Sequence, residues 1–329
     1  MNKKTIAILG AGSWGTAVAI HLSQIGHRVL LWAHNPQHIA LMAETKTNPR
    51  YLPEIKFPET LIPTGDLNQC LREADYVIIA VPSHAFAGLL ANIKEPLQGL
   101  AWITKGIDPS SHQLLSDLVA QRFGPSFPVA MITGPSFAKE VARFLPTALT
   151  LASNNLTYQK NIQQLLHHSN IRVYFSDDLT GVQICGAVKN VLAIGCGISD
   201  GLGYGANAKA ALITRGLAEM SRLGLSLGAQ GDTFLGLAGV GDLVLTCTDD
   251  QSRNRRFGLL LGQNVSINEA EKKIGQVVEG KSNAAQVCAL AEQAQIEMPI
   301  CEQINALLQG KISAKEAVHN LMSRPPKEE

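Results

Sequence analysis

Two lysines, an aspartate and an arginine-asparagine pair are the residues of this sequence best suited to chemistry. Lys189 stands with Asn190 in the middle of an apolar run, residues 182–198. A lysine is almost never fully buried without a partner. Desolvation lowers its pKa from about 10.4 toward the range useful for proton transfer. The structural alternatives are a side chain that snorkels to the surface or one that pairs with a carboxylate. A membrane span is a third alternative, but the run is at the short limit and carries a Lys-Asn pair at its centre. Lys105 ends the apolar segment 101–104 and precedes Gly106. At a strand's carboxyl end it faces a ligand crevice; otherwise it is a solvated loop cation. Asp242 follows Gly239-Val-Gly241 and reads as an orienting carboxylate or as a helix N-cap. In Ser252-Arg253-Asn254 the guanidinium fork suits a phosphate, although a lone arginine is more often a surface charge.

One reaction fits these residues together. A secondary alcohol loses a proton to Lys189 and a hydride to nicotinamide C4. Lys105 steadies the developing alkoxide, or the carbonyl oxygen in reverse, with Asp242 orienting. Arg253 and Asn254 hold an anionic tail so that the carbinol carbon faces the ring. Spacing does not name the substrate.

A hydride acceptor needs a seat, and the start of the chain offers one. The apolar run 5–9 leads into Gly10-Ala-Gly12-Ser-Trp-Gly15, followed by a helical pattern over 13–25 closed by Gly26. The order strand, glycine turn, helix gives G-x-G-x-x-G its meaning as a dinucleotide site; without it the glycines have only a packing role. Gly10 makes the tight turn, Gly12 admits the pyrophosphate, and Gly15 lets helix and strand approach. Gly134-Pro-Ser136-Phe-Ala138 follows another strand end and lines the same cleft or forms an ordinary turn. About 20 residues past the fingerprint, where strict NAD enzymes place a carboxylate, the chain reads Leu30-Leu-Trp-Ala-His34-Asn35. His34 and Asn35 donate hydrogen bonds where a carboxylate would repel a 2′-phosphate. Use of both NADP and NAD is expected, with NADPH at least as good as NADH.

The elements that must position these residues divide the chain in two. Strands are expected at 5–9, 27–33, 76–81, 101–104, 129–133, 147–152 and 172–176, with helical patterns between them. Their continuous apolar runs suit a parallel sheet covered on both faces. Segment 43–67 is proline-rich and reads as an irregular surface excursion. Beyond about residue 178 strand signals nearly vanish. Helices are expected at 179–198, 207–223, 233–240, 266–274, 282–294 and 299–308, and a last one starts from the capping box Ser313 to Glu316. The fold class is therefore α/β: a doubly wound Rossmann sheet over 1–177 and an all-helical domain over 178–329.

Composition excludes several other classes. The chain of 329 residues has net charge +1, 46% hydrophobic residues and 17% charged ones, which fits a globular enzyme better than a nucleic-acid binder or a disordered tail. The basic run Arg253-Asn-Arg-Arg256 is short and reads as local anion binding. The six cysteines show no C-x-x-C spacing and read as reduced buried thiols of a cytosolic protein, and no metal site is expected. His167-His168 reads as a solvated helix end. Met1-Asn-Lys-Lys4 leads directly into a strand with no cleavage site, and the tail 324–329 reads as frayed.

Gly10-Ala-Gly-Ser-Trp-Gly15, Val81-Pro-Ser-His84, Thr104-Lys-Gly106, Gly134-Pro-Ser-Phe-Ala-Lys-Glu140, Gly186-Ala-Val-Lys-Asn190, Gly241-Asp-Leu-Val-Leu-Thr246, Ser252-Arg-Asn-Arg-Arg-Phe-Gly258 and Val278-Glu-Gly280 run in this order over nearly the whole chain. In them the sequence closely resembles the bacterial NAD(P)-dependent glycerol-3-phosphate dehydrogenase family. The resemblance implies interconversion of sn-glycerol 3-phosphate and dihydroxyacetone phosphate, which supplies the glycerol backbone of phospholipids. It implies an N-terminal Rossmann domain and a helical domain like that of 6-phosphogluconate dehydrogenase. By motif match, Lys189 is the proton acceptor. Lys105, Gly134, Ser136, Asp242, Ser252, Arg253 and Asn254 touch substrate. Ser13, Trp14, His34, Lys105, Ala138, Arg253, Val277 and Glu279 touch cofactor, with Phe86 near the nicotinamide. Some family members carry arginine near the end of the second strand, where this chain has Trp32-Ala-His-Asn35, so the degree of NADP preference stays open. The expected setting is cytoplasmic, with a small-molecule substrate, no nucleic acid, no membrane span, and a homodimer as the assembly the sequence admits. The competing readings are a 3-hydroxyacid dehydrogenase of the same architecture and a nucleotide-sensing protein without turnover.

Overall fold

Strand β1 (Thr5–Leu9) is buried from Ile6 onward, as an unbroken apolar run requires when both faces of a sheet are covered. It pairs in parallel with β2 (Arg28–Trp32) on one side and β4 (Tyr76–Ile79) on the other. The computed structural model describes residues 3–94 and 98–325. The expected start at Met1-Asn2 and the tail beyond residue 325 lie outside the described residues. β3 (Leu61–Thr64), β5 (Leu100–Trp102), β6 (Val129–Thr133), β7 (Thr147–Ser153) and β8 (Ile171–Ser176) complete the sheet. Its order is β3-β2-β1-β4-β5-β6-β7-β8. The order reverses between β1 and β4, so the carboxyl end of β1, where Gly10 follows, is the topological switch point.

Two features of the sheet depart from the expected pattern. Segment 43–67 is not wholly irregular, because it contains β3. Pro63 hid this strand, since proline disfavours a sheet interior. β3 lies at the sheet's edge and pairs only with β2, where a missing N–H is tolerated. The sheet is also not fully parallel, because β6 and β7 run antiparallel. The helix between them, Ala138–Ala142, has five residues and spans roughly 8 Å, about half the length of a five-residue strand. It cannot carry the chain back for a parallel partner. The eleven-residue helix Leu156–Leu166 can, and β8 accordingly lies parallel to β7.

The chain clusters into two compact units, Met1–Thr104 with Leu115–Leu179, and Lys105–Leu114 with Thr180–Glu329. The second is built of helices around Leu179–Gly201. Among the described residues this helix alone is long and apolar enough to cross a membrane, but 94% of its apolar window is buried within the protein, which marks it as a core helix. Leu192, Phe234, Phe257 and Met298 belong to the same core. Helix Arg253–Gly262 meets it backbone to backbone: a Cβ on Gly258 would stand 2.0 Å from the carbonyl oxygen of Ile194.

The single helix expected over 233–240 is broken. Helix Gly231–Leu235 stops at Gly236, a wide turn closes through Gly241 N–H to the Gly236 carbonyl (3.2 Å), and helix Asp242–Thr248 begins anew. Gly239 sits outside helical geometry at φ −88°, ψ −106°, and a Cβ there would meet the Phe234 carbonyl oxygen at 2.1 Å. The apolar spacing suggested one helix, but three glycines let the chain turn instead. The capping box at Ser313 forms as expected, with Glu316 returning a bond to the Ser313 N–H at 2.7 Å.

Candidate active site

The second unit gathers Lys189, Asp242 and Lys105. Lys189 lies mid-way along Leu179–Gly201, most of whose residues are buried, and its side chain is only 6% exposed. Its Nζ donates to Asp242 Oδ1 at 2.5 Å and to Thr246 Oγ1 at 2.9 Å. Lys105 Nζ donates to the other oxygen, Asp242 Oδ2, at 2.8 Å. Asp242 does not cap its helix: Gly241 holds the cap position, and the carboxylate is left for the two ammonium groups. Thr246, one turn on, donates its hydroxyl back to the Asp242 carbonyl at 2.6 Å and so presents a lone pair to Lys189.

Two ammonium groups on one carboxylate leave a surplus positive charge in a buried place. Burial pulls the Lys189 ammonium down from 10.5 to about 7, against the pull of Asp242 upward and with the push of Lys105 downward. Burial acts to raise the Asp242 carboxyl, but the two lysines outweigh it and hold it below the usual range. A lysine that releases its proton near neutrality, beside a fixed cation, is suited to take a proton from a hydroxyl while the cation steadies the oxygen left behind.

The phosphate-type residues start the next helix. Ser252 caps Arg253–Gly262, accepting from the Arg255 N–H at 3.2 Å. Arg253 is half-buried and donates to Gln276 Oε1 at 3.3 Å. The amide of Asn254 is engaged at both ends: its Nδ2 donates to Asn190 Oδ1 and its Oδ1 accepts from the Gly280 N–H, each at 2.9 Å. It therefore ties the neighbour of Lys189 to the segment that carries Val277 and Glu279. Val277 is exposed, while Glu279 is half-buried and opens the helix Glu279–Gln293.

The first unit presents its predicted residues at the carboxyl ends of its strands. A Cβ on Gly10 would meet the Ala80 backbone at 2.6 Å, and one on Gly15 would stand 2.0 Å from the Gly10 carbonyl oxygen. A Cβ on Gly12 would meet no protein atom within 4 Å. The first and last glycines are thus demanded by packing. The middle one is not, which fits close approach by a pyrophosphate. Helix Ser13–Gln24 begins with no side-chain cap and no acidic residue in its first turn, as suits an anion. Trp14 is half-buried beside it. Beyond β2, His34 is exposed, and Asn35 uses its Oδ1 to accept from the His38 N–H at 3.0 Å. Beyond β6, Gly134 takes φ +123°, Ser136 Oγ donates to its carbonyl at 2.9 Å, and Ala138 opens a short helix. Phe86 is placed differently: its ring is sealed and packs edge-on to Trp102, so as it stands it offers no surface to a cofactor.

Four participants had no role assigned from the sequence. Thr246 stands four residues after Asp242, a spacing that would have put both on one helix face. Asn190 and Gly280 carried no local signal for their ties to Asn254. Asn48 lies in the excursion read as irregular. It is fully buried and donates to the Ala11 carbonyl at 3.0 Å and to Thr16 Oγ1 at 2.8 Å, holding the glycine turn in place.

Two family models match the chain, the NAD-dependent glycerol-3-phosphate dehydrogenase N-terminus over residues 5–159 and its C-terminus over residues 178–319. A relative from Legionella pneumophila (strain Corby), named glycerol-3-phosphate dehydrogenase [NAD(P)+], is 77% identical over 329 residues and is covered completely, as is this chain. One of the same name from Thioalkalivibrio sulfidiphilus is 52% identical over 332 residues, again with 100% of both chains covered. The crystal structure of glycerol-3-phosphate dehydrogenase from Coxiella burnetii superposes with a TM-score of 0.95 at 49% identity, covering 98% of this chain and 99% of that one.

Proposed function

Because the chain belongs to the NAD-dependent glycerol-3-phosphate dehydrogenase family, we propose that it interconverts sn-glycerol 3-phosphate and dihydroxyacetone phosphate with NAD or NADP, supplying glycerol 3-phosphate for phospholipid synthesis. The observation that carries this reading is the convergence of Lys189 and Lys105 on the buried carboxylate of Asp242. Residues 1–177 act as the nucleotide-binding domain and 178–329 as the substrate domain.

A nicotinamide coenzyme bound to this chain would supply the acceptor and donor of the hydride. The chain's own residues do the rest. Neutral Lys189 takes the proton of the substrate hydroxyl, and in the reverse direction its ammonium returns one to the carbonyl oxygen. The Lys105 ammonium stabilises charge developing on that oxygen. Asp242 holds both lysines, and Thr246 fixes the direction of the Lys189 donors. Arg253, with Ser252 and Asn254, binds the substrate phosphate, and Gly134 and Ser136 are assigned to substrate by the family motif they match. Gly10, Gly12 and Gly15, with Ser13, Trp14, His34, Ala138, Val277 and Glu279, are the residues that would hold the dinucleotide. Oxidation needs Lys189 neutral and reduction needs it charged, so a value near 7 serves both directions.

The enzyme acts in the cytoplasm in this reading, as a homodimer. The 3-hydroxyacid alternative predicts a carboxylate site where this chain has Ser252-Arg253-Asn254, and the relatives matching the whole chain act on glycerol 3-phosphate by name. Mixing purified protein with NADPH or NADH and dihydroxyacetone phosphate tests the proposal: coenzyme absorbance falls, and 3-oxo acids give no comparable loss. Turnover of the acids alone would overturn it.

A further inference from the structure

Helix Arg253–Gly262 carries the residues assigned to the phosphate on its first turn, yet its seat on helix Leu179–Gly201 is made largely of glycine backbone. Partners advance four residues at a time. Asn254 bonds Asn190. A Cβ on Gly258 would stand 2.0 Å from the carbonyl oxygen of Ile194, and one on Gly262 would stand 2.4 Å from that of Ile198. From the other helix, a Cβ on Gly197 would meet the Arg255 carbonyl oxygen at 2.0 Å, and one on Gly201 that of Leu259 at 2.3 Å. Glycines therefore recur four residues apart on both helices. Such a seam brings the axes close, but a slide of one turn sets glycine near backbone again. Across this glycine seam, slide and rotation are held by side-chain ties, of which the Asn254–Asn190 bond is one.

Arg255 is placed to fix them. It follows Asn254 directly, and its carbonyl lies in the seam. Its Nη2 reaches up the facing helix to Asp200 Oδ2 at 2.5 Å, and its Nη1 bonds Asp250. Asp200 Oδ1 receives Lys209 Nζ at 2.9 Å, so the carboxylate is itself held from a third helix, Ala206–Ser226. The Arg255 and Asp200 side chains are 11% and 13% exposed, so water competes little for the bond. A one-turn slide would take Arg255 away from Asp200.

We propose that the Arg255–Asp200 ion pair is the positioning element for the substrate phosphate: it locks the slide and rotation of helix Arg253–Gly262, so that the Arg253 guanidinium and the Asn254 amide meet the phosphate. Arg255 acts through Arg253 and touches no substrate. Asp200 lies eleven residues beyond Lys189 on one helix, roughly 16 Å away, so the pair governs binding of the phosphate end and leaves proton transfer alone. This rests on the reading that Arg253 holds the phosphate.

The test uses full-length enzyme at saturating NADPH with Arg255→Gln, Asp200→Asn and Arg255→Lys, and with Arg253→Gln as the reference. Arg255→Gln and Asp200→Asn raise KM for dihydroxyacetone phosphate about tenfold or more. They weaken competitive inhibition by inorganic phosphate by a similar factor and leave kcat within about threefold. Arg255→Lys, which keeps a charged tie to Asp200 and the fold, recovers most of both. If Arg253→Gln raises KM while Arg255→Gln and Asp200→Asn keep wild-type KM and phosphate inhibition, the positioning proposal is wrong. The same holds if they only lower the melting temperature. If Arg255→Gln does not fold, wild-type KM and phosphate inhibition in Asp200→Asn overturn it equally. If Arg253→Gln leaves KM unchanged, the phosphate reading fails first.

Discussion

Asp242 Oδ1 stands 2.5 Å from Lys189 Nζ although 53 residues separate the two in the chain. The bond explains how a lysine persists at the centre of an apolar helix. Its charge is matched by a carboxylate that a second lysine keeps ionised, so neither partner is left alone in a low-dielectric interior.

Replacing the base tests the centre of the mechanism. Lys189→Ala keeps the fold and lowers turnover by about 10²–10⁴-fold, the usual worth of a positioned acid-base group. In the wild type, glycerol 3-phosphate oxidation rises as pH increases through about 7, where Lys189 loses its proton, and dihydroxyacetone phosphate reduction falls over the same range. Rates in both directions across that range check the sign. A folded Lys189→Ala enzyme with near-native turnover would remove Lys189 from the role.

Asp242→Asn leaves the buried Lys189 ammonium and the half-buried Lys105 ammonium without their counter-charge. The upward pull on Lys189 goes, so its proton is released at lower pH than in the wild type. The rising limb of the oxidation profile moves to lower pH. The folded state weakens by about 3–5 kcal/mol, typical of breaking a buried pair. A pH profile with denaturant titration measures both, and an unmoved limb would show that Asp242 does not set the base.

Arg253→Lys keeps the charge but loses the two-pronged fork. The expected result is a large rise in KM for dihydroxyacetone phosphate. An unchanged KM would return Arg253 to the role of an ordinary half-buried cation.

Coenzyme choice follows from the end of β2. No carboxylate stands in Leu30-Leu-Trp-Ala-His34-Asn35, and His34 is exposed there. NADPH is used at least as well as NADH. Specificity constants for the two coenzymes, in the wild type and in His34→Ala, decide it. An unchanged ratio in the variant takes His34 out of the explanation, and a strong NADH preference in the wild type contradicts the prediction altogether.

Acid stability is set partly by His21. It is fully buried on helix Ser13–Gln24, and burial lowers it from 6.5 to about 4, even though its Nε2 bonds the Leu166 carbonyl at 3.0 Å. The folded state thus binds fewer protons than the unfolded chain between these values. The stability His21 contributes is present above about pH 6.5 and lost as pH falls toward 4, by about 3 kcal/mol. Denaturant midpoints across this window fall less steeply in His21→Gln than in the wild type. Parallel curves would place the acid sensitivity elsewhere.

What the sequence determined by itself is whatever short-range stereochemistry decides. Gly10 takes φ +134° in the turn, Gly15 answers to the Gly10 carbonyl oxygen five residues back, β1 needs only its own apolar run, and Ser313 with Glu316 closes a cap within three residues. The motif order along the chain carried the resemblance to the family. Tertiary structure decided what depends on which residues lie opposite one another. Pro63 sits in a strand because that strand is an edge. β7 turns antiparallel because the helix before it is too short to carry the chain back. Lys105 and Lys189 lie 137 and 53 residues from Asp242, and no local preference states that they share its two oxygens. A buried charge is stable only with its partner, and in this chain the partners are supplied by packed helices, not by neighbours in sequence.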